Sequence, residues 1–139
     1  TEEVDANYLG AQGLHEFGHS FVNLGDQIPD SAKAALDATF APVQSRMARM
    51  TYPNLDNWLN ETVIRASEAR GHLELGMLSA TQVDDELAQG EKTGFTLIRT
   101  AYKALEEYAA NRQLYPDFKS FGPVLLQRLA DSRNRESKP

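Results

Sequence analysis

The sequence predicts an all-α fold of about four to five packed helices. Three observations carry that reading. Alanine (17) and leucine (16) supply 33 of the 139 residues, against 17 for Val, Ile and Thr together, a bias toward helix over sheet. Apolar residues recur at three- and four-residue steps along most of the chain, and no segment alternates cleanly enough to read as a strand. The chain, 15.5 kDa, is long enough to bury one core without staples.

Each element can be justified in order. The first helix begins near Asp5 and runs through VDANYLGAQGLHEFGHSFVNL, with Tyr8, Ala11, His15, Gly18, His19 and Val22 on one stripe. Gly25, Asp26 and Pro29 supply its stop. A second helix starts after Asp30 and ends near Met50, presenting Ala34, Leu36, Phe40, Val43 and Met47, and Pro42 inside it predicts a kink or a split. The third covers roughly residues 55–78, with Leu55, Trp58, Leu59, Val63, Ala66, Ala69 and Leu73 on its apolar side and Gly71 and Gly76 weakening its distal end. A short acidic helix over 81–88 takes Thr81 as its cap, with Asp84 standing in for the usual Glu or Gln, and GEKTG reads as a turn. The fourth long helix spans about 95–114, presenting Leu97, Ile98, Ala101, Leu105, Tyr108 and Ala109. YPDF then interrupts, and a last helix follows Gly122 with Pro123 at its first position and ends near Ala130. The domain so defined is 1–131, followed by a polar tail over 132–139.

Composition excludes several function classes. Fourteen Lys and Arg against twenty Asp and Glu leave a net charge of −6 and a pI near 5.0. Proteins built to bind nucleic acid or anionic membranes need the opposite field. Cysteine is absent, which removes disulfide scaffolds, zinc–cysteine modules, iron–sulfur centres and cysteine nucleophiles together. No apolar run reaches the length of a membrane span, so membrane insertion is not expected. The compartment stays open, since a chain without cysteine suits either redox environment.

The informative segment is His15-Glu16-Phe17-Gly18-His19, an H-E-x-x-H motif in a helical pattern. Residues four apart stand one above the other on a helix, so His15 and His19 can present two imidazole nitrogens to one metal ion. Glu16 lies about 100° further round, placed to face a metal-bound water without coordinating the metal. A catalytic zinc needs a third protein ligand and an open position. The best donor is Glu61 on the third helix, with Glu68, Glu74 and His72 as rivals. An oxyanion also needs a donor beside the metal. The candidates are Tyr102 and Arg65, with Tyr52, Tyr115 and His72 behind them. A di-metal oxidase site wants a Glu-x-x-His pair on each of two helices, and this chain has one such pair, Glu16 with His19.

HEFGHSFVN, followed by WLNETVIRA and then GFTLIRTAYKALEEYAANRQLYPDF, resembles an uncharacterised bacterial family of predicted zinc metallopeptidases. The arrangement is similar to that of the gluzincins, in which two histidines of one helix and a glutamate of a later helix hold zinc. The resemblance implies His15 and His19 as ligands, Glu16 as general base and Glu61, of the Asn60-Glu61 pair, as third ligand to Zn²⁺. The implied activity is peptide-bond hydrolysis, with a peptide or protein as substrate. Better-known gluzincins such as thermolysin carry a β-sheet ahead of the motif. Here the motif begins at residue 15, so the expectation is either a helical lobe whose N-terminal domain lies elsewhere in a longer protein, or a cleft built another way. The non-enzymatic alternative is a helical interaction or scaffold domain derived from a metallopeptidase, with or without a structural metal.

Overall fold

The computed structural model describes the backbone of residues 21–136 and the side chains of residues 24–132. Most of the expected first helix lies outside the described residues, and with it His15, Glu16 and His19. The described chain is helical throughout and contains no strand, so the fold is all-α. A 3-10 helix over Phe21–Gln27 leads to α1 (Asp30–Phe40), a 3-10 turn over Ala41–Val43 and α2 (Gln44–Arg49). Then come α3 (Leu55–Glu74), α4 (Ala80–Thr93), α5 (Ile98–Ala110) and α6 (Phe118–Glu136). Taking α1, the turn and α2 as one bent rod, the described residues form five helical rods.

The bend has a local cause. Pro42 has no amide hydrogen and its ring crowds the preceding turn, so the α-helix tightens to 3-10 over three residues and then resumes. The apolar side survives the bend, because Ala32, Leu36, Phe40, Val43 and Met47 are all buried. Ala34, expected on that side, is exposed; Ala32 takes its place.

Helix α3 is the central element. It packs against α5, α4, α1 and the 3-10 helix, while α6 closes the other side over α1 and α5. Leu55, Trp58, Leu59, Val63, Ala66 and Ala69 line its buried face, as the sequence pattern requires. The helix stops at Glu74 rather than reaching residue 78. Leu73 is left 38% exposed, and Gly76 follows at φ 69°. Trp58 is fully buried, packs its ring 5.1 Å from that of Phe40 and donates its indole N–H to the Gly94 carbonyl at 3.1 Å.

Helices α4, α5 and α6 have boundaries that differ from the sequence-based expectation. Helix α4 is capped by Ser79, not Thr81: the Ser79 hydroxyl accepts from the Gln82 amide at 3.2 Å and the Gln82 side chain accepts from the Ser79 amide at 2.8 Å. This is a full capping box, with Gln82 three residues after the capping serine as the motif requires. GEKTG is not a turn. It is the last stretch of α4, where a Cβ on Gly90 would stand 2.8 Å from Ile98 Cδ1, so this glycine serves a close helix–helix approach and Gly94 alone ends the helix. Helix α6 begins at Phe118, where Asp117 Oδ1 accepts from the Ser120 amide at 2.8 Å. Pro123 therefore lies inside the helix, which runs on to Glu136 instead of ending near Ala130. Helix α5 is also shorter than expected, with Ala104 rather than Ala109 on its buried side.

Among the described residues no helix is long and apolar enough to cross a membrane.

Candidate functional site

Glu61 and Arg65 occupy the flank of α3, one turn apart. The Asn54 side chain accepts from the Asn57 amide at 2.9 Å and starts the helix with a good cap. With the core face fixed by Leu55, Trp58, Leu59, Val63 and Ala66, positions 61 and 65 fall beside it rather than opposite. Arg65 Nε donates to Glu61 Oε1 at 2.9 Å. The guanidinium lies 4.6 Å from the centroid of the Phe95 ring, which is itself fully buried. Tyr52 meets the same ring edge-on at 5.8 Å. Partial burial pulls the Arg65 pKa down. The nearby Tyr52 side chain and the Glu61 carboxylate outweigh that and hold it above its ordinary value.

Tyr52 reaches this cluster through an unusual turn. Thr51 adopts φ 73°, a left-handed conformation that a β-branched residue seldom takes. Its amide bonds to the Ala48 carbonyl at 3.1 Å and that of Tyr52 to the Met47 carbonyl at 2.8 Å. These are the two bonds of a Schellman ending of α2, with threonine where glycine is usual. The cost is about 1–2 kcal/mol of backbone strain, and the product is a phenol held against Phe95 beside Arg65.

Glu61 is suited to serve as one carboxylate ligand. Its side chain is 22% exposed, and among the described residues no hydrogen bond engages Oε2. A carboxylate can accept from an arginine with one oxygen and bind a cation with the other. The described residues contain no group of three metal-ligating side chains. The other donors expected from the sequence, His15 and His19, lie outside them.

The segment that follows the H-E-x-x-H motif comes directly to α3. The 3-10 helix over Phe21–Gln27 packs on it, with Gly25 so close to Asp56 that a Cβ there would collide with the carboxylate. Asn60 stands one turn beyond Asp56 on the same side of the helix. Its Oδ1 is buried and has no hydrogen-bond partner among the described residues. Glu61 lies about 100° further round the axis, toward Tyr52 and Phe95.

The remaining expected residues are dispersed. Tyr102 borders a cleft of about 410 Å³ between α4 and α5, lined also by Val83, Leu87, Arg99 and Lys103. Burial and the Glu106 charge raise its pKa, with Arg70 opposing and Glu74 adding. Arg70 and Glu74 lie nine and thirteen residues along α3 from Glu61, about 13 and 20 Å at helical rise. The structure therefore brings Arg65 to Glu61 and leaves Tyr102 at the far end of the helix. His72 Nδ1 stands 3.1 Å from Glu86 Oε2, Glu74 pairs with Arg70, and Tyr115 packs on Phe121 at 4.8 Å. Glu68 is exposed. Tyr52 is the phenol at Glu61–Arg65. Phe95 was visible in the sequence only as the start of a helix, because nothing local marks a ring as the platform for a distant arginine.

Comparison with known proteins gives one match. No curated protein and no solved structure matches the chain. The model of the DUF4932 family, described as a domain of unknown function, matches residues 5–128. That span holds the H-E-x-x-H motif, all of α3 and the Tyr52–Arg65–Phe95 cluster, and on it the chain belongs to the DUF4932 family.

Proposed function

We propose that this domain hydrolyses peptide bonds with zinc held by His15, His19 and Glu61. The observation that carries the reading is the state of Glu61: one oxygen is held by Arg65 at 2.9 Å and the other is unengaged among the described residues. It stands on the helix against which the segment following the H-E-x-x-H motif packs. Bound zinc would supply a Lewis acid and a water acidified toward neutral pH. Glu16, next to the first histidine, accepts the proton of the attacking water and returns it to the leaving amine. Arg65 anchors Glu61 and leaves its second oxygen for the metal. The substrate class is a peptide or a protein.

The test is metal content per chain by elemental mass spectrometry, on protein purified without chelator or an affinity-column metal. The expected result is about one zinc in the wild type and in Glu16→Gln, and little in His15→Ala, His19→Ala and Glu61→Gln. A peptide-library assay should then show cleavage by the wild type and none by Glu16→Gln. A wild type that takes up no zinc from a stoichiometric supply would leave a helical interaction domain as the better reading.

A further inference from the structure

Three cations stand together beside the Phe95 ring with no acid to answer them. Arg46 and Arg49 share the last turn of α2, and Lys92 lies in the last turn of α4. All three are exposed. Arg46 Nη1 donates to the Lys92 carbonyl at 2.9 Å, which ties the two helix ends together. Among the described residues none of the three pairs with a carboxylate, whereas Arg65, Arg70, Arg99 and Arg128 all do. Glu91, next to Lys92, is committed to Arg99 at 2.7 Å. Helix ends explain part of the cluster. The carbonyl end of a helix carries about half a negative charge, so two ends call for about one cation. The remainder, about two positive charges by that reckoning, stands on a chain whose net charge is −6.

The cluster is continuous with the surroundings of Glu61. A Cβ on Gly94 would stand 3.6 Å from Arg46 Cδ, and the next residue is Phe95, whose ring carries Arg65 at 4.6 Å. Tyr52, three residues after Arg49, meets the same ring at 5.8 Å. The path from Glu61 across Arg65 and Phe95 to Arg46 is on the order of 15 Å, or roughly four residues of extended chain. We propose that Arg46, Arg49 and Lys92 form a subsite for acidic side chains of a peptide substrate, roughly four positions from the bond that is cut. This rests on the reading of Glu61 as a zinc ligand in a peptidase. A peptide fits better than nucleic acid, because a chain of net charge −6 repels a long polyanion while three local cations can hold one or two carboxylates.

The experiment compares matched peptides in the cleavage assay, carrying either Glu or Gln three to five positions from the bond cut. Exposed ion pairs are individually weak, so two or three together should favour the acidic peptide about 5- to 30-fold in kcat/KM at low salt. The preference should shrink toward unity at about 0.5 M NaCl. Arg49→Gln/Lys92→Gln should cut the two peptides alike. Neither side chain makes an ion pair or hydrogen bond among the described residues, so the thermal midpoint of this double variant stays close to the wild type. Lys119→Gln, which changes an exposed lysine of α6, should keep the full preference. Equal cleavage of both peptides by the wild type would overturn the proposal and leave the peptidase reading standing, as would a preference that survives in the double variant. A second readout needs neither zinc nor turnover. By fluorescence anisotropy, metal-free wild type should bind the labelled Glu peptide about 5- to 30-fold more tightly than its Gln counterpart, and the double variant should bind both equally. Equal binding by the wild type would also overturn the proposal, as would tighter binding of a single-stranded oligonucleotide or of phosphatidylserine vesicles than of the Glu peptide. A wild type that takes up no zinc and cuts neither peptide removes the peptidase reading and its subsite together.

Discussion

Replacing Arg65 by methionine keeps an unbranched apolar stem and removes the guanidinium, so the stability lost reports what that group does in the metal-free fold. Two contributions can be worked from the structure. The Arg65–Glu61 pair is partly solvated, at 38% and 22% exposure, and an i, i+4 pair so placed is worth about 0.5 kcal/mol after screening. Stacking over a buried ring at 4.6 Å adds about 1 kcal/mol. The sum is about 1.5 kcal/mol, or a fall of about 6 °C in thermal midpoint for a chain of this size. Arg65→Lys separates the terms, because it keeps a charge near Glu61 and loses the planar stack and the Nε bond. It should fall about half as far. The assay is thermal unfolding by circular dichroism after exhaustive metal removal, so that ligand binding does not contribute. A midpoint for Arg65→Met within about 2 °C of wild type would refute the reasoning, since it would mean that the stack adds nothing beyond its stem.

Three further outcomes are expected. Trp58→Phe leaves the buried Gly94 carbonyl without its 3.1 Å donor and opens space beside Phe40; denaturant titration should show a loss of about 3 kcal/mol. Thr51→Gly relieves the left-handed threonine and loosens the unfolded chain in return, for a net gain of about 0.5–1 kcal/mol by the same titration. Glu107 is held below its ordinary pKa, chiefly by hydrogen bonding from Arg128, at 3.0 Å, against an opposing effect of burial. A carboxylate depressed in the folded state contributes stability that is present above its unfolded value, about 4.3, and lost as pH falls through the folded one. Stability measured from pH 6 to 3 should therefore decline less steeply in Glu107→Gln than in the wild type.

Local sterics and periodicity made much of the fold legible. Pro42 announced the break between α1 and α2 because a proline acts on its own preceding turn, whatever surrounds it. The buried face of α3 followed from Leu55, Trp58, Leu59, Val63, Ala66 and Ala69 recurring at helical spacing, since one apolar stripe has one way to be covered. The H-E-x-x-H motif was readable for the same reason: its chemistry depends on a four-residue step within one helix. It lies outside the described residues.

One glycine and one proline were misread, the first for a tertiary reason and the second because an earlier cap was missed. Gly90 looked like part of a turn and instead lets α4 approach Ile98. Pro123 looked like the first residue of a helix that Asp117 had already begun.

The sequence by itself determined the all-helical class, the break at Pro42 and the buried stripe of α3, and it set Arg65 one turn from Glu61, because each depends on neighbours within about one helical turn. The tertiary structure alone decided that Tyr52 and not Tyr102 stands at that pair, and that Phe95 is the surface Arg65 lies on. Phe95 lies 30 residues from Arg65 and 43 from Tyr52 in the chain, and no local rule of spacing or propensity encodes which distant side chains the packing of α3 will bring together.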